Sequence, residues 1–297
     1  MNEKYELTEE FKEIEAWRKG WLQKTKVYRI RALRAFADVK IGDLGGFVET
    51  KQNLSNMGNA WVCDNAKVYG NAEVCGDAKV YGDAEVYGDA RVCNNARVCN
   101  NARVYDNARV RDNAWVCGDA RVCGNAWVYD NAEVYGDARV CNNARVCDNA
   151  WVYGNARVYG NARVRDNAWV CGDARVYGNA EVCNNARVYG NAEVYGNARV
   201  YGNAEVCGDA KVCDNANIFW CSSIGSRHAT TTMFRNEDNG ITVTCGCFMG
   251  TLEEFAGIVE KEHGENIFGK EYKLLIELAK IHFGLQDETK GEEENGI

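Results

Sequence analysis

Period six limits what this chain can fold into. Alanine stands at 60, 66, 72 and every sixth residue to Ala216, giving 27 consecutive hexads. Valine follows two positions later from Val62 to Val212, and Ile218 takes that place in the last hexad. The unit is Ala, x, Val, y, then Gly, Asp or Asn, then Asn or Asp. An α-helix repeats every 3.6 residues and is excluded. In a strand, Ala and Val two apart share one face, and x and y share the other. Gly, Asn and Asp tolerate the left-handed backbone that a sharp corner needs. A four-residue strand cannot bury its apolar face alone, so successive strands must coil until those faces meet inside a solenoid.

The coil length is decided by a longer duplication. Outward Glu at 73, 85, 133, 181, 193 and 205 all fall on even hexads, which suits a flat coil of two hexads. Residues 107–122 recur identically at 161–176, an offset of 54. That is three coils of 18 residues but four and a half of 12, so duplication would swap faces in the flat coil. The expectation is nine triangular coils of 18, with Val62, Val80 and Val98 stacked, in a rod roughly 43 Å long at about 4.8 Å per coil. Nineteen of the 26 residues that close a turn between 65 and 215 are Asn. Stacked Asn side chains hydrogen-bond along such an axis.

Four segments follow. Residues 1–58 are an N-terminal cap, with a helix expected from Thr8 to Leu22 and a strand from Lys26 to Leu33. Residues 59–218 are the solenoid. Residues 219–285 are a small α/β module, with a hairpin flanking Asn236–Gly240. In that module a Thr251/Glu254 capping box opens a helix to about His263. A second helix is expected from Glu271 to His282, with Leu274, Leu275, Leu278 and Ile281 as its packing stripe. Residues 286–297 form an acidic, disordered tail.

V-C-D-N-A and V-Y-G-N-A resemble the hexapeptide repeat of left-handed parallel β-helices. The segment Ala37–Val48 leading into Asn53-Leu54-Ser55 resembles the cap of YdcK-like single-stranded left-handed β-helix proteins, and also many phage and prophage proteins. The stretch S-I-G-S-R through T-L-E-E-F resembles a module at the C-terminus of other phage and bacterial repeat proteins. The resemblance covers roughly residues 27–218. It implies an all-β solenoid, a phage or prophage origin, and a fold that has been labelled acyltransferase. Acyltransferases of this fold use a catalytic His. Here His228, His263 and His282 all lie in the C-terminal module, and no loop interrupts the hexads. Catalysis is therefore not expected to carry over, and no cofactor is expected.

Fifteen cysteines with no apolar leader at the N-terminus point to free thiols in a reducing, cytoplasmic setting. Cys75/Cys93, Cys99/Cys117 and Cys123/Cys141 would stack as neighbours in 18-residue coils. Cys221, His228, Cys245 and Cys247 are a zinc candidate, since Cys and His are its usual ligands, with His263 equally able to serve; C-x-C is a poor finger signature, and the alternative is free thiols near a hairpin. No apolar run is long enough to cross a membrane.

The outward charges allow a nucleic-acid reading. Arg103, Arg121, Arg139, Arg157 and Arg175 stack on one face, beside Tyr105, Tyr159 and Tyr177. Arg91, Arg109, Arg111, Arg145, Arg163 and Arg165 share the next face. Such surfaces bind phosphates and stack bases, although the net charge of −8 argues against a protein basic all over. Trp61, Trp115, Trp151 and Trp169 share the third face, either as a protein interface or as rings packed on each other along the ladder. The expected function is a non-catalytic scaffold that binds a protein partner or itself. A polyanion binder and a divergent acyltransferase are the alternatives.

Overall fold

The computed structural model describes residues 3–18, 21–213, 218–236 and 238–285. Twenty-six short strands between Trp61 and Cys213 build the rod. They fall on three faces in parallel sheets, with neighbours 18 residues apart in the chain. Val62 pairs with Val80, and Val80 with Val98, so the coil is triangular and holds three hexads. Every Val of these strands is fully buried. The core is therefore a column of stacked Ala and Val with no polar side chain between them.

The corners explain the fifth position of each hexad. From Asp64 to Gly208, every sixth residue has positive φ, whether it is Gly, Asn or Asp. The sixth position closes the corner and stacks. Asn113, Asn131, Asn149, Asn167, Asn185 and Asn203 form one continuous amide ladder with steps of 3.1–3.2 Å. Each amide donates to the next oxygen, as the sequence expects.

The N-terminal segment caps the rod with strands, not with a helix. β1 (Tyr5–Arg18) pairs antiparallel with β2 (Trp21–Ala32), which pairs with β3 (Leu44–Val48). β3 adds to the first coil in parallel through Val48 and Val68. The expected helix is overturned by a non-local partner: the register places Glu13 against Lys26 and Glu15 against Lys24. Arg29 and Glu10 join at 2.8 Å, and Arg31 pairs with Glu6. Opposite charges across two strands favour the hairpin. Gly46 lets β3 approach closely, since a Cβ there would sit 2.7 Å from the Ala66 carbonyl oxygen. Lys4 is buried in this cap and donates to the Ala60 carbonyl at 2.9 Å. Burial, with Arg34 nearby, lowers its ammonium to about 8.

At the other end, a four-stranded antiparallel sheet covers the last coil. Its strands are Ile218–Ile224, Ala229–Arg235, Ile241–Cys245 and Phe248–Thr251. Ile218 pairs with Phe234 here instead of closing a further hexad. Phe234 is fully buried and joins the Ala/Val core as an end plug. Thr232 and Thr244 bond the backbone of Glu205 at 2.9 Å each. Two helices complete the module. α1 (Leu252–His263) carries the expected Thr251/Glu254 capping box. α2 (Ile267–Phe283) starts four residues earlier than expected, capped by Asn266, whose side chain accepts from Gly269 N. The expected acidic tail, 286–297, and the hairpin residue Glu237 lie outside the described residues.

Candidate interaction surfaces

The first arginine face is intact. Its outward column reads Lys67, Glu85, Arg103, Arg121, Arg139, Arg157, Arg175, Glu193, Lys211 in successive coils. Glutamates close both ends of the arginine run. Glu85 holds Lys67 at 2.9 Å and reaches Arg103 at 3.9 Å, and Glu193 holds Arg175 at 3.3 Å. Among the described residues no carboxylate lies within 4.0 Å of the guanidinium groups of Arg121, Arg139 or Arg157. Beside the column, Tyr159, Tyr177 and Tyr195 stack at 4.9–5.0 Å, nearly parallel. Their rings already use each other's faces, which leaves no gap for a base between them.

The second arginine face is broken. Trp127 stands between Arg109 and Arg145, with both guanidinium groups and that of Arg111 within 5.7 Å of its ring. Sequence reasoning passed over Trp127, although its offset of 18 from Arg109 and Arg145 places it there. Arg91 lies 3.8 Å from Glu73. Arg165 is bound by Asp166 at 2.9 Å and Glu181 at 2.6 Å, and no carboxylate lies within 4.0 Å of Arg163 among the described residues.

The tryptophan stripe loses one member. Trp61 is 4% exposed, packed edge-on against Tyr5 and Phe36 of the cap. Trp151 and Trp169 stack at 5.2 Å. Trp115 is 37% exposed and donates to Cys99 Sγ at 3.2 Å, with Glu133 between it and Trp151. The stripe is a mixed ladder, not a continuous apolar patch.

All fifteen cysteines are free thiols. The three expected Cys pairs do sit on adjacent coils. In each pair one thiol hydrogen-bonds the other as it ionises, so the first proton leaves early and the second late. Cys99 falls to about 6, with Cys117 as the main donor, while Cys117 is pushed up. Cys93 and Cys123 fall to about 7 for the same reason, and Cys75 and Cys141 rise.

The expected zinc set is not assembled. Cys221 pairs with Thr231, and Thr231 with Cys245, so a whole strand separates the two thiols. Two strand spacings put them about 10 Å apart, beyond one ion. Cys245 Sγ instead meets Thr231 Oγ1 at 3.2 Å. No group of three or more His, Cys, Asp or Glu suited to a metal occurs among the described residues. Cys245, Cys247 and His263 do line a shallow cleft of about 340 Å³ beside α1.

Of the expected stripe on α2, Leu275 packs inward and the other three members face out. Leu275 is buried with Tyr272, Ile276, Ala279 and Phe283 against the sheet and α1. Leu274, Leu278 and Ile281 point away, 72%, 51% and 64% exposed. Both sides of the helix are apolar, so periodicity alone does not separate them.

Four stretches of the rod, residues 102–118, 138–154, 156–172 and 192–208, match the family model of the YdcK β-solenoid repeat. Their starting points lie 18 or 36 residues apart, in phase with the observed coil. No curated protein matches the chain. No helix among the described residues is long and apolar enough to cross a membrane.

Proposed function

We propose, with the YdcK-type β-solenoid as the premise, that this chain is a non-catalytic scaffold. Its specific contact is with a protein and is made by the C-terminal module. The observation that carries this is the exposed apolar side of α2. Elsewhere the surface of the rod is a set of repeating polar and aromatic ladders, in which one coil is hard to tell from the next. A partner that needs a unique address finds it at the capped end.

The non-catalytic part is supported by where the histidines sit. His263 packs on Phe268 and Tyr272, and His282 on Phe219 and Phe283. Both are engaged as rings in the module's packing. Purified protein is expected to release no CoA from acetyl-CoA with small amine or hydroxyl acceptors. A phage or prophage origin and a cytoplasmic setting belong to the same proposal, on the strength of the sequence resemblance.

A second reading has one observation in its favour. Arg121, Arg139 and Arg157 form a cationic row without carboxylate partners among the described residues, which suits a polyanion. The two readings are separated by one comparison in native extract. Leu274→Glu/Leu278→Glu/Ile281→Glu is expected to lose the bound protein, and Arg121→Glu/Arg139→Glu/Arg157→Glu to keep it. Retention of the partner by the first variant overturns the proposal. Salt-sensitive nucleic-acid binding lost in the second establishes the alternative.

A further inference from the structure

We infer that the exposed side of α2 pairs with the same helix of a second copy, antiparallel, to form a dimer. The inference rests on the reading that the C-terminal module makes the contact, and it names the partner.

The exposed apolar positions are Ile267, Leu274, Leu278 and Ile281, between 51% and 72% exposed. Their spacings are seven, four and three, the alternation that keeps one seam of a helix facing a second helix. The seam runs nearly the full length of α2, on the side opposite its buried residues. A 17-residue helix is about 25 Å long. An apolar strip of that length is on the scale of the largest patches that monomers leave uncovered.

Charge selects a second copy and its direction. Lys270 and Glu277 lie on the same flank of the seam, two turns apart. In an antiparallel pair, that flank of one helix lies along the same flank of the other. Lys270 of each copy then meets Glu277 of the other, giving two symmetric ion pairs, as a two-fold interface requires. Leu274 falls near the two-fold axis and Ile267 opposite Ile281. In a parallel pair, Lys270 would face the position of Leu275, which is buried in its own module. On the other flank, Glu271 is drawn away from the seam by its bond to Gly225 N at 3.0 Å. Glu277 also reaches Lys280 at 3.0 Å in its own helix, an exposed pair that competes little.

Sedimentation equilibrium of the full chain tests this. A dimer is expected at micromolar concentration, and Leu278→Glu should raise its dissociation constant at least tenfold. Lys270→Glu alone and Glu277→Lys alone should each weaken the dimer. The double swap Lys270→Glu/Glu277→Lys should restore it, which a general loss of folding would not do. A monomer at all concentrations overturns the inference, as does a dimer indifferent to Leu278→Glu or a double swap without rescue. If the chain is monomeric yet Leu278→Glu abolishes capture of another protein, the second copy is refuted and the module's role as contact stands.

Discussion

Val140→Ala probes the column that holds the rod together. Val140 is fully buried, with Val122 on one side and Val158 on the other. Removing two methyl groups forfeits about 1.6 kcal/mol of transfer free energy, at about 0.8 per carbon. The neighbours are pinned by hydrogen bonds at both edges, Arg139 N to Ala156 O at 2.9 Å and Cys141 N to Val158 O at 3.0 Å. The space therefore stays open, and a void of about 50 Å³ adds roughly 1.2 kcal/mol. The expected cost is about 3 kcal/mol. Val140→Thr keeps the shape but buries a hydroxyl, costing about 1–3 kcal/mol. A repeat array opens locally as well as globally, so the assay is hydrogen exchange at the amides of 139, 141, 157 and 159. Their protection should fall about a hundredfold, while amides of the first two coils change little. A loss under fivefold, or a uniform loss along the rod, would refute close packing of a continuous core.

Other consequences are independent. Gly118 has φ of 72° and sits where other coils carry Asn or Asp. Gly118→Asn should therefore be tolerated better than Gly118→Ala, which costs about 1–2 kcal/mol in the left-handed region, measured by denaturant midpoints. Phe234→Ala should cost about 3–5 kcal/mol and expose the strands at 205–206 and 211–213 to exchange first. Alkaline pH should weaken the rod. Burial raises Cys63 and Cys147 to about 11, and Tyr81 and Tyr129 to about 12. The fold keeps these protons where the unfolded chain, with thiols near 9, has lost them. That stability is full below pH 9 and is lost as pH rises through 11. Lys4 acts in the opposite sense: its burial costs the cap at neutral pH, and that cost is relieved as pH rises from about 8 to 10.5. A midpoint that rises from pH 9 to 11 would contradict this balance.

What the sequence shows well is what repeats. The 54-residue duplication carries the coil length, and the observed Val62–Val80–Val98 register follows from it. Corner chemistry and the Asn ladder were legible because one residue type answers one backbone need. The parts that depend on distant partners were not. β1 reads as a helix until Lys24 and Lys26 come alongside. Trp61 reads as surface until Tyr5 and Phe36 fold over it. Cys221 and Cys245 read as co-ligands until the strand carrying Thr231 runs between them. In α2, Leu274 and Leu275 are neighbours of one type, and only the sheet beneath decides which is buried.

A photo-activated cross-linker placed at position 278 in the full chain, and separately at position 139, tests the central claim most directly. On irradiation in cells of the native host, the account predicts a discrete protein adduct from position 278 and none from position 139. A nucleic-acid or protein adduct from position 139, with none from position 278, would contradict it.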